Sequence, residues 1–97
     1  MKYTSTGIQG VSICKLWESD TKGGTALVKM EADSRFPNHN HLGWEQLYVV
    51  AGKVKVGDNL VEVGDYLFTT SGQTHFVEAK EVSELLVFSE KGIEIVE

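Results

Sequence analysis

Short stretches in which apolar and polar residues alternate run along most of the chain, separated by glycine, asparagine, aspartate or serine. Alternation with a period of two is typical of half-buried β-strands, because successive side chains point to opposite faces. Segment 54–63 is the clearest case: valines alternate with charged residues around Gly57, Asp58 and Asn59, which predicts a hairpin. The pattern predicts strands at residues 11–17, 26–32, 45–51, 54–63, 66–70, 74–77, 84–88 and 93–96.

Segment 77–87 is the best candidate for a helix, because Glu78, Lys80, Glu81 and Glu84 would share a solvated face. We favour a loop leading into a strand at this position. Many short strands with glycine turns, and no alternation of strands with helices, predict an all-β sandwich or barrel. No repeat or linker divides residues 1–97, which are expected to form one domain. Residues 1–9 carry little apolar periodicity and are expected to form a loose terminal segment or an edge strand.

Composition narrows the class of protein. A chain of 97 residues is long enough for one small core, and its net charge of −5 argues against binding to nucleic acid. The single cysteine, Cys14, cannot close an internal disulfide and is expected to be a small buried apolar residue. The first residues lack the apolar run of a signal peptide, and no stretch approaches 18 apolar residues. We therefore expect a cytoplasmic protein that does not enter membranes.

All three histidines fall in two short segments, and one glutamate accompanies them. His39 and His41 are two residues apart, so an extended strand would present both imidazoles on one face, as a metal site requires. Glu45 has the same parity but is too distant along a straight strand, so the chain would have to bend, and Gly43 permits a bend. The alternative interpretation involves no metal. His39 and His41 would then lie in an exposed loop, Glu45 would be a solvated strand end, and His75 would be a hydrogen-bonded histidine of the barrel.

These residues resemble the two motifs of the cupin family, G(X)5HXH(X)3–4E(X)6G and G(X)5PXG(X)2H(X)3N. His39, His41, Glu45 and Gly52 match the first motif from its first histidine onward, and Gly64, Gly72 and His75 match the second. The resemblance covers residues 39–79 directly. The chain departs from the motifs at three positions that are not metal ligands in the family: Asp33 and Thr70 replace a glycine and a proline, and Ala79 replaces the final asparagine.

The resemblance implies a small cupin jelly-roll barrel, also called a double-stranded β-helix, with turns at Gly52, Gly57, Gly64 and Gly72. It also implies that His39, His41, Glu45 and His75 bind one divalent metal ion, which could be Fe, Mn, Ni, Co, Cu or Zn. Strand parity suggests a pocket wall of Leu47, Val49 and Val77. Aromatic residues that could join this wall are Phe88, Trp44, Phe36, Tyr66 and Phe68.

Three functions follow from the resemblance. The first is a metal-dependent dioxygenase acting on a small enol-type, phenol-type or β-dicarbonyl molecule, because no second general base is evident: Glu31, Asp33 and Glu78 are expected to be solvated. The alternative is a non-catalytic metal or small-ligand sensor. An isomerase is less favoured. Cupins of this kind commonly form homodimers through sheet edges, for which segments 8–17 and 93–96 could supply a strand.

Overall fold

Residues 1–97 form eleven strands and no helix in a computed structural model of the chain. The strands assemble into two antiparallel sheets, as the alternating pattern predicts. The strands are β1 (Thr4–Ser5), β2 (Val11–Glu18), β3 (Gly24–Met30), β4 (Arg35–His41), β5 (Glu45–Ala51), β6 (Lys53–Val56), β7 (Asn59–Glu62), β8 (Tyr66–Thr69), β9 (Thr74–Ala79), β10 (Ser83–Ser89) and β11 (Ile93–Ile95).

The two sheets differ in size and share one core. The six-stranded sheet has the order β1-β2-β3-β10-β5-β8, and the five-stranded sheet has the order β11-β4-β9-β6-β7. Their inner faces bury an aliphatic cluster, and removing this apolar surface from water stabilises the fold. The cluster consists of Val11, Met30, Leu47, Val49, Val54, Val56, Val61, Val77, Ala79 and Leu85.

The structure decides between the alternatives that the sequence left open for residues 77–87 and 1–9. The segment 77–87 is not helical: β9 ends at Ala79, a turn follows, and β10 begins at Ser83. Within residues 1–9, β1 forms an edge strand that pairs with β2 through Thr4 and Ser5. The hairpin of β6 and β7 turns at Gly57, which has a φ of 56° that glycine adopts without the steric cost of a Cβ.

Cys14 is 7% exposed, consistent with its expected role as a small apolar residue. The chain has no helix of the length and hydropathy needed to cross a bilayer.

Candidate metal centre

The five-stranded sheet brings the three histidines together. His39 and His41 lie on one face of β4, and His75 on β9 pairs directly with His39. The ring centroids of His41 and His75 are 4.4 Å apart, and those of His39 and His75 are 4.9 Å apart. The strand parity that predicted a common face for His39 and His41 is therefore correct, and the register of β9 adds the third imidazole.

A β-bulge in β4 determines the direction in which the side chain of His39 points. The pairing of β4 with β9 passes from Phe36 opposite Val77 to His39 opposite His75, so β4 carries one extra residue at Pro37 and Asn38. A bulge re-aims the side chains beside it, and proline is tolerated in strands at such irregular positions. The ring of Phe36 consequently meets the ring of His39 edge-on at 5.0 Å, although the two residues have opposite parity in the sequence.

Glu45 reaches the histidines from the other sheet. The chain bends over residues 42–44 and enters the six-stranded sheet with Glu45 as the first residue of β5. Gly43 has no positive φ, and its role is close approach: a Cβ there would lie 2.9 Å from the Cβ of Glu90, which cannot move without its backbone. The predicted bend at Gly43 is present, and tight packing against Glu90 explains the glycine.

Hydrogen bonds orient two of the imidazoles. Nδ1 of His39 lies 2.8 Å from the carbonyl oxygen of Pro37, and Nδ1 of His41 lies 2.7 Å from that of Gln73. A carbonyl only accepts, so each Nδ1 carries the proton and each Nε2 is the nitrogen left for a ligand bond. Nε2 of His41 also lies 3.3 Å from Oε1 of Glu45. Nε2 of His75 is buried and has no hydrogen-bond partner.

The three imidazoles have different affinities for protons. Burial lowers the pKa of His75 to about 4, and the neighbouring His41 and His39 add to this effect. Burial also lowers the pKa of His39, against the hydrogen bond to Pro37. For His41, burial lowers the pKa, but the hydrogen bonds to Glu45 and Gln73 together outweigh it, so the pKa is raised. His39 and His75 therefore favour the neutral form that ligates metals.

The donor set fits a divalent metal ion. One nitrogen from each histidine and one carboxylate oxygen of Glu45 all lie within 4.8 Å of one another. Ligand atoms held at about 2.1 Å from one metal lie at most about 4.2 Å apart, so shifts of a few tenths of an ångström suffice. A metal would satisfy the orphaned Nε2 of His75 and neutralise the buried carboxylate. The four residues that the sequence singled out therefore lie close enough together to hold one metal ion.

A cavity of about 230 Å³ adjoins this cluster and is lined by His39 and Glu45. Its wall is mainly aliphatic and comes from both sheets, whereas Lys15, Glu18 and Lys22 are exposed charged residues of the lining. The principal apolar lining residues are Ile13, Val28, Phe36, Leu47, Val77, Leu85, Val87 and Ile93. A small molecule in the cavity would have the candidate metal site at one side and mainly hydrocarbon around the rest, with Lys15, Glu18 and Lys22 at the exposed part of the lining.

The structure divides the predicted wall residues into two groups. Leu47, Val77 and Phe36 line the cavity. Val49 does not, because it is fully buried in the core. The sequence missed Val28 and Val87, whose contribution follows from the pairing of β3 with β10.

The remaining aromatic candidates lie outside the cavity. Phe88, Trp44, Tyr66 and Phe68 are absent from the lining and are between 36% and 55% exposed. On β10, Val87 faces the cavity, so Phe88, one residue further, points to the opposite face. On β8, Thr69 is buried and Phe68 is exposed for the same reason.

Two departures from the cupin motifs have structural explanations. Asp33 occupies the position of the leading glycine and adopts a φ of 66°, a left-handed conformation that aspartate tolerates better than most residues. Ala79 occupies the position of the final asparagine and is fully buried in the core, where a larger polar side chain would need a partner. Thr70 lies in the turn after β8, where its amide donates to the side chain of Gln73.

Comparison with known proteins agrees with the motifs. The family described as the ChrR cupin-like domain matches residues 1–93. The chain belongs to this cupin family. No curated protein matches the chain.

Solved structures share the cupin fold with this chain. An acetylacetone dioxygenase from Acinetobacter johnsonii has 20% sequence identity and a TM-score of 0.88, covering 98% of this chain and 72% of the dioxygenase. The crystal structure of Rhodobacter sphaeroides SigE in complex with the anti-sigma ChrR has a chain with 18% identity and a TM-score of 0.83. That match covers 93% of this chain and 49% of the other. At these identities the likeness shows the fold alone.

Proposed function

We propose that this cupin binds one divalent metal ion through His39, His41, Glu45 and His75 and is a dioxygenase. Its substrate would be a small enol-type, phenol-type or β-dicarbonyl molecule that reacts with dioxygen. The observation that carries the proposal is the position of the four-residue cluster at the side of a small apolar cavity. This arrangement suits a ligand with an oxygen end for the metal and a hydrocarbon body for the wall.

The charge of the site supports this substrate class. Three neutral imidazoles and one carboxylate would leave a divalent ion with a charge of about +1, which favours an anionic oxygen such as an enolate. When bound, the metal would supply Lewis-acid stabilisation of that oxygen and redox chemistry with dioxygen. Four protein ligands leave open positions only on five- or six-coordinate ions, so Fe, Mn and Ni suit the reaction better than tetrahedral Zn.

The protein residues around the site would orient the substrate and exclude water. Leu47, Val77 and Val87 contribute hydrocarbon to the wall, and Phe36 packs against His39. A volume of about 230 Å³ admits only a small molecule. The fold shared with an acetylacetone dioxygenase is consistent with a β-dicarbonyl, although at 20% identity it does not identify the substrate.

Oxygen consumption tests the proposal. Protein loaded anaerobically with Fe(II) should consume dioxygen with a diketone such as acetylacetone, a flavonol or a hydroxyaryl ketone. The variant His41→Ala should retain less than about a hundredth of the bound metal and of the activity, because it loses a ligand and leaves Glu45 unpaired. Leu60→Ala, an exposed substitution on β7, is the matched control and should behave as the parent chain.

Two outcomes would contradict this assignment. Unchanged metal content in His41→Ala would show that the four residues do not form the metal site. Normal Fe(II) binding with no oxygen consumption for any of the three compound classes would retain the site and reject the dioxygenase.

The second candidate function is a non-catalytic metal or small-ligand sensor. It is favoured by the match to the ChrR cupin-like family and by the fold shared with a chain of the SigE–ChrR complex. A sensor would hold the metal in a closed four-coordinate site. X-ray absorption spectroscopy distinguishes the two: tetrahedral Zn(II) without an exchangeable ligand supports the sensor, and a site with exchangeable water supports the enzyme.

A further inference from the structure

The two residues that follow β11 contact the irregular part of β4. β11 pairs with residues 39–41 of β4, so it runs beside two of the candidate ligands. Beyond β11, the amide of Val96 donates to the carbonyl oxygen of Asn38 at 3.0 Å. The amide of Asn38 in turn donates to Oε1 of Glu97 at 2.6 Å. Both backbone groups of Asn38 are therefore bonded to Val96 and Glu97.

These bonds replace the partners that Pro37 and Asn38 would have in a regular strand. The pairing of β4 with β9 passes over these two residues, which together lie opposite the single residue Phe76. The extra residue of a bulge is left unpaired in the ladder, and proline has no amide hydrogen to contribute. Backbone groups without a ladder partner are satisfied by side chains or by water. Here the carboxylate of Glu97 is the acceptor for the Asn38 amide.

One peptide group links Glu97 to His39. The amide of Asn38 and the carbonyl of Pro37 belong to the same planar peptide group, and all peptide bonds of the chain are trans. The N–H and the C=O therefore point in opposite directions. Glu97 accepts from the N–H, and Nδ1 of His39 donates to the C=O at 2.8 Å. The position of the Glu97 carboxylate thus sets the orientation of the acceptor that holds the His39 ring.

Arg35 holds the carboxylate of Glu97 in place. Two guanidinium nitrogens of Arg35 donate to the two oxygens of Glu97, each at 3.0 Å, in a bidentate geometry. The guanidinium carbon lies 4.9 Å from the ring centroid of Phe76, the residue opposite the bulge. An isolated surface ion pair contributes little, but here three hydrogen bonds converge on one carboxylate. The hydrogen bonds from Arg35 and from the Asn38 amide lower the pKa of the Glu97 carboxyl, so it is ionised at neutral pH.

The contact that orients His41 is built differently. Its Nδ1 donates to the carbonyl oxygen of Gln73, which also accepts from the backbone amide of His41 at 3.0 Å. The amide of Gln73 donates to the carbonyl oxygen of Thr70 at 3.3 Å and closes the turn before β9. None of these groups belongs to the segment after β11. His41 therefore serves as an internal comparison for any effect of Glu97 on His39.

We propose that Glu97 is a positioning residue for His39 and that it acts through the peptide group between Pro37 and Asn38. A negatively charged acceptor on the N–H polarises this peptide group and strengthens its carbonyl as an acceptor. The carbonyl then keeps the ring proton on Nδ1 and leaves Nε2 of His39 for a ligand bond. Ligating histidines usually donate their second nitrogen to a carboxylate or a carbonyl. His39 combines the two, because a carboxylate acts on it through a carbonyl.

Nuclear magnetic resonance of the histidine ring nitrogens tests the positioning role in the metal-free chain, at a pH where the rings are neutral. In the parent chain, His39 should carry its proton on Nδ1. In Glu97→Ala the ring should become a mixture of the two tautomers, because the peptide group loses its hydrogen bond and its polarisation. His41 should keep its tautomer in the same variant, since its acceptor is Gln73.

Titration with Co(II) tests the consequence for metal binding, which rests on the proposed metal site. Glu97→Ala should bind Co(II) about tenfold more weakly than the parent chain, because loss of a group that orients a ligand weakens metal binding by roughly ten- to a hundredfold. Glu97→Gln keeps an oxygen acceptor for the Asn38 amide without the charge, so its affinity should lie between the two. Glu62→Ala is the matched control: Glu62 pairs with Lys53 at the opposite edge of the same sheet, and its removal should leave the affinity unchanged.

The outcomes separate the positioning role from the metal site. An unchanged tautomer of His39 in Glu97→Ala would overturn the proposal, whatever the Co(II) affinity. Equal changes in His39 and His41 would also overturn it, since they would mean that the segment after β11 has detached and loosened the whole site. A parent chain that binds no Co(II) would instead reject the proposed metal site, and the tautomer measurement would still decide the role of Glu97.

Discussion

At the scale of single residues, the ring nitrogens of the three histidines differ in what they contact. Both nitrogens of His41 face oxygen acceptors, from Gln73 and Glu45, so this ring is the one that a proton or a metal stabilises. His75 has a buried Nε2 without any acceptor, so a proton there is disfavoured. The cluster therefore combines one ring that attracts positive charge with a neighbouring ring that is held neutral.

This difference predicts how the stability of the metal-free protein depends on pH. Folded His75 has a pKa of about 4, and the ordinary value is 6.5, so between these limits the unfolded chain binds more protons than the folded chain. Stability should decrease as pH falls from 6.5 towards 4. The lowered pKa of His39 acts in the same direction. The raised pKa of His41 stabilises the folded chain fully at pH values below 6.5, so it does not change how stability depends on pH in this range.

Thermal melts in the presence of a chelator test this dependence. The parent chain should lose stability on the order of 2 kcal/mol through His75 across that range, and His75→Gln should remove that part of the slope. Parallel pH profiles for the two chains would show that His75 is not the titrating group.

At the scale of elements, parity explains what the sequence could predict and register explains what it could not. A spacing of two residues places His39 and His41 on one face of β4, and Glu45 and Leu47 on one face of β5. All four lie at the site. The assignment of Phe88 to the pocket wall is wrong, because Leu85 and Val87 of β10 line the cavity and Phe88, of the other parity, lies on the opposite face.

The bulge in β4 creates a contact at the site that strand parity would exclude. Parity alone would separate Phe36 from His39, yet one extra residue at Pro37 and Asn38 places their rings in contact. The proline was the only local sign of this irregularity. Similarly, the link from Glu45 to the histidines depends on a bend between two sheets. Gly43 indicated that a bend was permitted there, and the family motif placed Glu45 among the ligands.

The turn before β4 offers a test of backbone strain. Asp33 has a φ of 66°, a conformation that costs most L-residues about 1–2 kcal/mol, and its amide donates to the carbonyl of Ala79. Asp33→Gly keeps that hydrogen bond and removes the strain, so it should raise the free energy of unfolding by about 0.5 kcal/mol. Asp33→Ala should lower it by about 1 kcal/mol. Urea denaturation measures both, and equal stabilities for the two variants would contradict the explanation.

At the scale of the whole molecule, the four candidate ligands connect the two sheets. The three histidines belong to β4 and β9, which are already neighbours in the five-stranded sheet, so a metal held by them alone would join strands that hydrogen bonds join already. Glu45 belongs to β5 in the six-stranded sheet. A metal that included Glu45 would therefore fasten one sheet to the other at the side of the cavity.

This position predicts that metal binding stabilises the fold and that Glu45 carries a distinct part of the effect. A ligand at about a hundred times its dissociation constant adds about 2.7 kcal/mol to the free energy of unfolding. Adding Fe(II) or Mn(II) to the metal-free chain should raise its melting temperature accordingly. Glu45→Gln keeps the shape of the side chain but removes its charge, so at the same metal concentration the rise should shrink by at least half. A full rise in Glu45→Gln would mean that the histidines bind the metal without the carboxylate and that the two sheets are held together by their packed core alone.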